Sequence, residues 1–535
     1  MSEWEPIWPA MREEAHFKDR VVTCFVDRVG SLYELLSSAY KKNPNGEAIV
    51  CGDQRLRYAD LFLQCSQFAT GLQKYGVIKG DRVAILLENR SEFVVTLFAT
   101  AMLGAVAVPM SVREQAPGIA YMLGHCGAKV VVHETYLAEL LPTTDDAPEL
   151  SHRVAVGFCE GSDLFSEWLL DSDLTSGVEV AEEDTAVILY TSGTTGRPKG
   201  AILTNLGIVH SSMHFQIAMG LSARDCSIAA VPLSHVTGLV ALITTMVSCA
   251  GKLVIMSSFK AKDFLKLAER EQMTHTLMVP AMYNLCLLQE EFAQSDLSSW
   301  RIGGFGGAPM PVASIEQLTQ KVPTLTLMNC YGSTETTSPA TLIPKGKVTS
   351  HLDSVGVPLA CAEIRVMDDH GCEVTTDTLG EIWIKGPMVV TGYWDNPDAT
   401  SENFTAGFWH SGDIGSIDAK GYVKVLDRKK DMINRGGYKI YTIEVENALY
   451  AHPAVQECAV VSKPCPVLGE RVHAFVMLKD CVVTSAELTT HCSARLSDYK
   501  VPESFTLTQT ALPRNANGKL LKKVMRDSLL EGLQT

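Results

Sequence analysis

The sequence predicts an α/β protein: a large N-terminal body of α/β layers, a small β-rich subdomain packed on it, and a mobile α+β domain at the C-terminal end. Three observations carry this. From about residue 30 to 260, apolar runs of strand length alternate with amphipathic stretches, the pattern of layered units around mostly parallel sheets. From about 355 to 427, short strands follow one another around Gly-rich turns. After residue 427 a helix and two strands occupy about 100 residues, the size of a separate domain.

Residues 82–87, 129–133 and 185–191 are apolar runs bounded by Gly, Asp or turn clusters, and read as buried strands. Residues 93–112 hold no charge, a length sufficient to span a bilayer. Gly104 and Pro109 divide that run, so a buried helix, a glycine stop and a strand at 105–108 account for it. Pro232 and Gly238 likewise interrupt residues 227–251, with His235 inside, and neither run is expected to cross a membrane. Residues 363–367, 380–385 and 422–426 are the strands of the β-rich part. Asp427-Arg428-Lys429-Lys430-Asp431 lacks hydrophobic periodicity and reads as a plain linker or a hinge. A helix at 444–451 and strands at 457–461 and 474–478 follow. The expected division is 1–427 and 428–535, with the β-rich subdomain at about 355–427.

The chain has 535 residues, 46% hydrophobic and 20% charged, as in an ordinary globular protein. Forty-six Lys+Arg against 61 Asp+Glu leave a net charge of −15, and the longest basic block is the Arg428-Lys429-Lys430 triplet. Such a field repels phosphodiester backbones, so nucleic acid is not an expected partner. Fifteen cysteines, an odd number with no C-x-x-C spacing, point to free thiols rather than a disulfide framework or zinc site. Met1-Ser2-Glu3-Trp4-Glu5 lacks the basic and apolar regions of a secretory leader, and Leu533-Gln534-Thr535 is not a peroxisomal address. A cytoplasmic location is expected.

One loop is rich in phosphate-binding groups. Tyr190-Thr191-Ser192-Gly193-Thr194-Thr195-Gly196-Arg197-Pro198-Lys199-Gly200 follows the run at 185–191. Its glycines allow tight turns with exposed amide N–H groups, and its hydroxyls and lysine add donors suited to a polyphosphate. No Gly-Lys-Ser/Thr closes it as in a P-loop, and no G-x-G-x-x-G opens a helix here. By composition alone it could be a flexible surface loop.

The whole string resembles the phosphate loop of the adenylate-forming superfamily: acyl- and aryl-CoA synthetases, peptide-synthetase adenylation domains and firefly-type luciferases. The resemblance spans about 30–525 and includes further motifs in the superfamily's order. It implies nucleotide contacts from Thr191, Ser192, Gly193, Thr194, Thr195, Gly196 and Lys199. Pro232-Leu233-Ser234-His235 is similar to the segment that places an aromatic or His residue at the acyl pocket. Gly306-Gly307-Ala308-Pro309 is similar to the adenine-contacting turn. Tyr331-Gly332-Ser333-Thr334-Glu335 resembles the next nucleotide motif, with Tyr331 on adenine, Thr334 at the α-phosphate and Glu335 on magnesium. Trp409-His410-Ser411-Gly412-Asp413 brings Asp413 to the ribose diol; Arg428 is a second ribose contact and Val425 a further nucleotide-side position. Lys430 is the implied hinge, Gly436-Gly437-Tyr438-Lys439 the coenzyme A face, and Lys519 in Pro513-Arg514-Asn515-Ala516-Asn517-Gly518-Lys519 the catalytic lysine. Singly, these residues have ordinary readings: a core histidine, a helix-start acid, a turn aspartate, a solvated lysine. Their shared order argues against that.

The resemblance implies an ATP-dependent acid–CoA ligase using ATP, Mg2+ and coenzyme A. A carboxylate is a poor acyl donor; attack on the α-phosphorus of ATP makes an acyl-AMP whose leaving group is AMP. The obstacle is an anion approaching a polyanion, roughly 1 kcal/mol per like-charge pair at about 4 Å in water and about 4 at an effective dielectric of 20. Magnesium on Glu335, the donors of residues 191–199 and Lys519 would screen it, by positioning and fixed charge. No protein nucleophile is needed for the second step, transfer to a thiol.

Motif neighbourhood assigns His235, Val236, Thr237, Met282, Phe305, Gly306, Thr336 and Thr337 to the acyl pocket. No Asp near 204–210 or 233–237 is placed to grip an α-amino group, and Asp225 is poorly placed. The expected substrate is a medium-chain fatty acid or an aryl or arylpropenoic (cinnamate-like) acid. Alternatives are loading of a carrier protein, a luciferase-like oxygenase and an inactive nucleotide-binding module. Against the first, the chain stops sixteen residues after Lys519 with no fused carrier. Against the last, Thr334, Glu335, Asp413, Arg428 and Lys519 are all retained.

Overall fold

The structure, a computed structural model, describes residues 8–172, 174, 176–191, 197–479, 483–514 and 520–531. They form two compact units: residues up to 364 with 383–410, and 365–382 with 411 onward.

The first unit is built on two sheets. In one, Thr185–Thr191, Val106–Pro109, Arg82–Leu86, Ala128–Glu134, His152–Val156 and Asp163–Leu164 lie side by side in parallel, with Lys199–Thr204 antiparallel at the edge. In the other, Thr326–Tyr331, Ile302–Gly306, His275–Met278, Cys226–Ala229, Lys252–Ile255 and Glu47–Cys51 are parallel. Short antiparallel strands close both of its edges.

The uncharged run at 93–112 resolves into the helix Ser91–Met102 and the strand Val106–Pro109. The helix touches strands of both sheets, and nearly every residue in it is buried. A helix enclosed all round has no need of a polar face, which is why its sequence mimics a membrane span. No helix among the described residues is long and apolar enough to cross a membrane. The run at 227–251 becomes the strand Cys226–Ala229, a π-helical stretch Thr237–Thr244 and a short helix Thr245–Cys249. The Thr245 hydroxyl donates to the Val240 carbonyl at 2.8 Å, capping a group in the widened ladder.

In the second unit, Tyr438–Ile440, Ile433–Arg435, Gly469–Leu478 and Val455–Cys465 pair antiparallel, and Ser504–Thr508 adds in parallel to Gly469–Leu478. One face buries Ile433, Val445, Leu449, Val460, Val476 and Leu488; the other buries Val461, Phe475, Leu512 and Met525. The helices Thr442–Tyr450 and Ser485–Ser493 supply the first set of partners and Lys522–Glu531 the second. The strand expected at 422–426 is Val423–Arg428, paired antiparallel with Phe408–Ile417. The polar run at 427–431 therefore begins inside a ladder, not as a plain linker. Arg428 is held there by Asp413 opposite it. Most described cysteines are buried, and none of them is in a disulfide.

Candidate active site

Four adjacent parallel strands of the first unit end along one edge. The registers Ser227↔His275, Met278↔Phe305 and Gly306↔Cys330 align Cys226–Ala229, His275–Met278, Ile302–Gly306 and Thr326–Tyr331. In parallel sheets ligands bind beyond the carboxyl ends of the strands. That edge carries His235, Val236 and Thr237 after the first strand and Met282 after the second. Gly307, Ala308 and Pro309 follow the third, and Gly332 through Thr337 the fourth. The sheet needs Gly306, because a Cβ there would lie 2.3 Å from the Cys330 carbonyl oxygen.

Glu335 is the electrostatic centre. It is 8% exposed, on the short turn Thr334–Thr336. The Ser333 hydroxyl donates to its Oε2 at 2.6 Å and the Tyr393 hydroxyl to its Oε1 at 3.0 Å. Both donors are neutral, and among the described residues no Lys, Arg or His makes an ion pair with Glu335. A buried carboxylate held only by hydroxyls has spare oxygen lone pairs, and oxygen ligands of that kind fit a hard metal cation. Thr336 donates its hydroxyl to the Ser333 carbonyl at 3.1 Å and accepts the Ser333 N–H at 2.9 Å, so it braces the turn. Thr337 takes a left-handed conformation at φ +49°, and its buried hydroxyl has no hydrogen-bond partner among the described residues. For a β-branched residue that conformation is unusual, and such outliers gather at functional sites.

The phosphate-loop candidate joins this centre through its last residues. Thr191 and Lys199 face each other on the ladder that closes the loop, and Lys199 Nζ lies 5.0 Å from the Tyr393 ring centroid. One tyrosine thus touches the loop lysine with its ring and Glu335 with its hydroxyl. Ser192, Gly193, Thr194, Thr195 and Gly196 lie outside the described residues, as does Lys519. Sequence reading missed Tyr393. Its only signal was a tyrosine after Gly392; its place depends on the Ala201↔Tyr393 bridge and on the Trp394 N–H donating to the Gly200 carbonyl at 2.7 Å.

His235 is half-buried, and its Nδ1 accepts the Thr237 N–H at 3.3 Å, with the Thr237 hydroxyl at 3.2 Å. In the tautomer that lets Nδ1 accept this N–H, the ring hydrogen sits on Nε2. Phe305 is buried within the sheet layer at 2% exposure, whereas Met282 is half-buried in the helix Pro280–Leu287. Asp225 is committed to Arg301 at 2.7 Å and is not available to grip an amino group.

In the second unit, the Arg428 Nε donates to Asp413 Oδ1 at 2.7 Å, and Arg428 also reaches the Ser411 carbonyl at 3.3 Å. Asp413 is buried, which leaves this charge-assisted pair as a fixed polar patch. Val425 sits on the same strand, opposite Gly415. Lys430 is exposed. Gly436 and Gly437 link Arg435 to Tyr438 in a two-residue turn with φ +60° and +93°. Such a turn demands glycine for its backbone alone; a Cβ at Gly437 would also meet nothing within 4 Å, so a ligand could approach there. Tyr438 is 58% exposed and stacks on Tyr499 at 4.7 Å, while Lys439 lies 3.9 Å from Asp369.

A family model described as AMP-binding enzyme matches residues 36–394, and one described as AMP-binding enzyme C-terminal domain matches 444–519. A feruloyl-CoA synthase of an Amycolatopsis species is 34% identical over 487 residues, 91% of this chain and 96% of that protein. The long-chain-fatty-acid–CoA ligase FadD13 of Mycobacterium tuberculosis (strain ATCC 25618 / H37Rv) is 32% identical over 479 residues, 89% of this chain and 93% of that one. Among solved structures, o-succinylbenzoate coenzyme A synthetase of Bacillus subtilis with ATP and magnesium ion superimposes with a TM-score of 0.81 at 30% identity. That match covers 93% of this chain and 99% of the other.

Proposed function

From the premise that the chain belongs to the AMP-binding enzyme family, we propose that it is an ATP-dependent acid–CoA ligase acting on a fatty or an aryl carboxylic acid. The observation that carries this reading is Glu335: a buried carboxylate held by the Ser333 and Tyr393 hydroxyls and joined through Tyr393 to the lysine that ends the Gly-rich loop. The names of the similar proteins cover both acid classes, feruloyl and long-chain fatty. Residues 204–210 and 233–237 hold no Asp to grip an α-amino group, which favours a non-amino acid, with a medium-chain fatty or cinnamate-like acid as the finer proposal.

The reaction has two balanced steps. A carboxylate oxygen attacks the α-phosphorus of ATP and pyrophosphate leaves, giving acyl-AMP. The thiol of coenzyme A then attacks the acyl carbon, AMP leaves with the bridging oxygen, and the thiol proton goes to solvent. Thr191 and Lys199, with 192–196 between them, would hold the phosphates. Thr334 would orient the α-phosphate, and Tyr331 with 307–309 the adenine. Asp413 and Arg428 would hold the ribose. When bound, magnesium would sit on the spare lone pairs of Glu335 and neutralise phosphate charge. His235, with Nδ1 facing Thr237, would offer an Nε2–H to the acid.

The proposed domains are 1–427 and 428–535, pivoting at Lys430, with Lys519 serving the first step and the face at 436–439 the second. Lys430→Pro fixes φ at the pivot. Acyl-AMP formation should stay within about threefold of wild type while acyl-CoA formation falls at least tenfold, the usual signature of a blocked conformational step. Single-turnover assays of each step check this, and equal loss in both would remove the pivot role. ATP, coenzyme A and free thiols suit a cytoplasmic location. Pyrophosphate release over a panel of fatty, benzoic and cinnamic acids, with and without coenzyme A, tests reaction type and acid class together. Release that no acid stimulates would reject the reading.

A further inference from the structure

The chain around Lys430 is anchored on both sides. Before it, Arg428 pairs with Asp413 on the ladder, and the Lys429 N–H donates to the Gly412 carbonyl at 2.8 Å. After it, Asp431 accepts from Arg526 at 3.1 Å, and Ile433–Arg435 joins the C-terminal sheet. Lys430 is the one residue between the two anchorages. Local turn bonds cross it, from the Asp431 and Met432 N–H groups to the Arg428 carbonyl. Among the described residues a loose exposed pair, Lys439 with Asp369 at 3.9 Å, also crosses it, and so does one buried side chain.

That side chain is Asp427. It precedes the pivot, is 6% exposed, and accepts the Arg428 N–H at 2.8 Å with one oxygen. Its other oxygen accepts the backbone N–H of Thr442, which follows the pivot. Thr442 is the first residue of the helix Thr442–Tyr450, whose N-cap, Tyr441, makes no side-chain capping bond. Tyrosine cannot turn an oxygen back onto its own helix end, so an aspartate from fifteen residues upstream does so. Lys522 completes the cluster: its Nζ donates to the Thr442 hydroxyl at 2.7 Å and pairs with Glu446 at 2.8 Å. Burial pushes the Asp427 carboxyl above the usual carboxylate range, and Lys522 and the Thr442 N–H oppose that push. Lys522 itself opens the helix Lys522–Glu531 and lies three residues after Lys519.

We propose that Asp427 is a positioning residue that latches the pivot: it holds the part of the chain after Lys430 in one arrangement by capping the helix Thr442–Tyr450 beside Lys522. The inference rests on the reading of Lys430 as the pivot. Glu446, Asp431, Lys522 and Arg526 all follow Lys430 and travel together, so their pairs survive a rotation. The Asp427 contact cannot. A rotation about Lys430 uncaps the helix and leaves a buried carboxylate to be solvated, so the latch biases which of the two steps the enzyme is set for.

The test uses the full chain with Asp427→Ala and Asp427→Asn. Asparagine keeps an acceptor oxygen for the Thr442 N–H but not the charge beside Lys522. The first readout is the rate at which trypsin cuts the folded protein after Arg428, Lys429 or Lys430. Asp427→Ala should be cut on the order of fivefold faster than wild type, the weight of one lost cap, and Asp427→Asn by less. The second readout is the two half-reactions measured separately, which should shift in opposite directions in Asp427→Ala. A purely structural role would lower both alike. Unchanged cleavage in both variants, or equal loss in both half-reactions, overturns the latch. If wild type formed no acyl-AMP, the enzymatic reading would fail, and the cleavage rates would decide the latch alone.

Discussion

Replacing Lys519 by alanine should slow acyl-AMP formation by about 10²–10³-fold, the scale of removing one fixed charge from a charge-stabilising site. The obstacle to that step is electrostatic. Attack brings a carboxylate onto a triphosphate, so a cation is needed where the two anions meet. Lys199 is held over the Tyr393 ring, and Glu335 adds a negative charge of its own. A lysine bridging the substrate carboxylate and the α-phosphate would offset the repulsion where the new bond forms. The second half-reaction joins a thiol to an acyl group that is already activated and needs no such bridge. Transfer from preformed acyl-AMP to coenzyme A in Lys519→Ala should therefore remain within about threefold of wild type, since no charge of that kind is lost. Stopped-flow or quenched assays of the two steps read this directly. Loss of both, or of neither, would leave Lys519 without its assigned role.

Glu335→Gln should lower ATP-dependent pyrophosphate release by about 10²-fold or more and raise the magnesium concentration needed for half-maximal rate. The substitution preserves volume, so the turn Thr334–Thr336 should persist through the Ser333 and Thr336 bonds. What disappears is the charge that would hold the cation. Tyr393→Phe provides the contrast. It removes one donor to Glu335 and keeps the ring over which Lys199 sits, so it should cost about tenfold, the scale of one hydrogen bond to a charged group. Activity titrated with magnesium for the three proteins separates these cases. A Glu335→Gln enzyme with unaltered magnesium dependence would place the cation elsewhere.

The fold was legible where the chain's own composition decides local structure. Residues 82–87, 129–133 and 185–191 are apolar enough to be strands in any enclosed layer, and each is one. The helix and strand in 93–112 were legible because Gly104 and Pro109 mark where the first stops and the second ends. Features that depend on distant partners were not legible. The π-helical stretch Thr237–Thr244 carries no residue that demands a widened turn. The strand running on through Asp427 and Arg428 looks like a linker until Asp413 is placed opposite. Motif order pointed to Glu335, but Tyr393, which orients it, is 58 residues away and has meaning only through the pairing of 393 with 201. Capping of the helix Thr442–Tyr450 by Asp427 is of the same kind: a polar residue whose partner is a backbone group.

The most direct measurement follows the carboxylate oxygens. With an acid labelled with 18O in both positions, turnover in the presence of ATP, magnesium and coenzyme A should deliver one labelled oxygen to AMP and leave pyrophosphate unlabelled. Unlabelled AMP, or label in any phosphate other than that of AMP, would contradict attack of the carboxylate on the α-phosphorus.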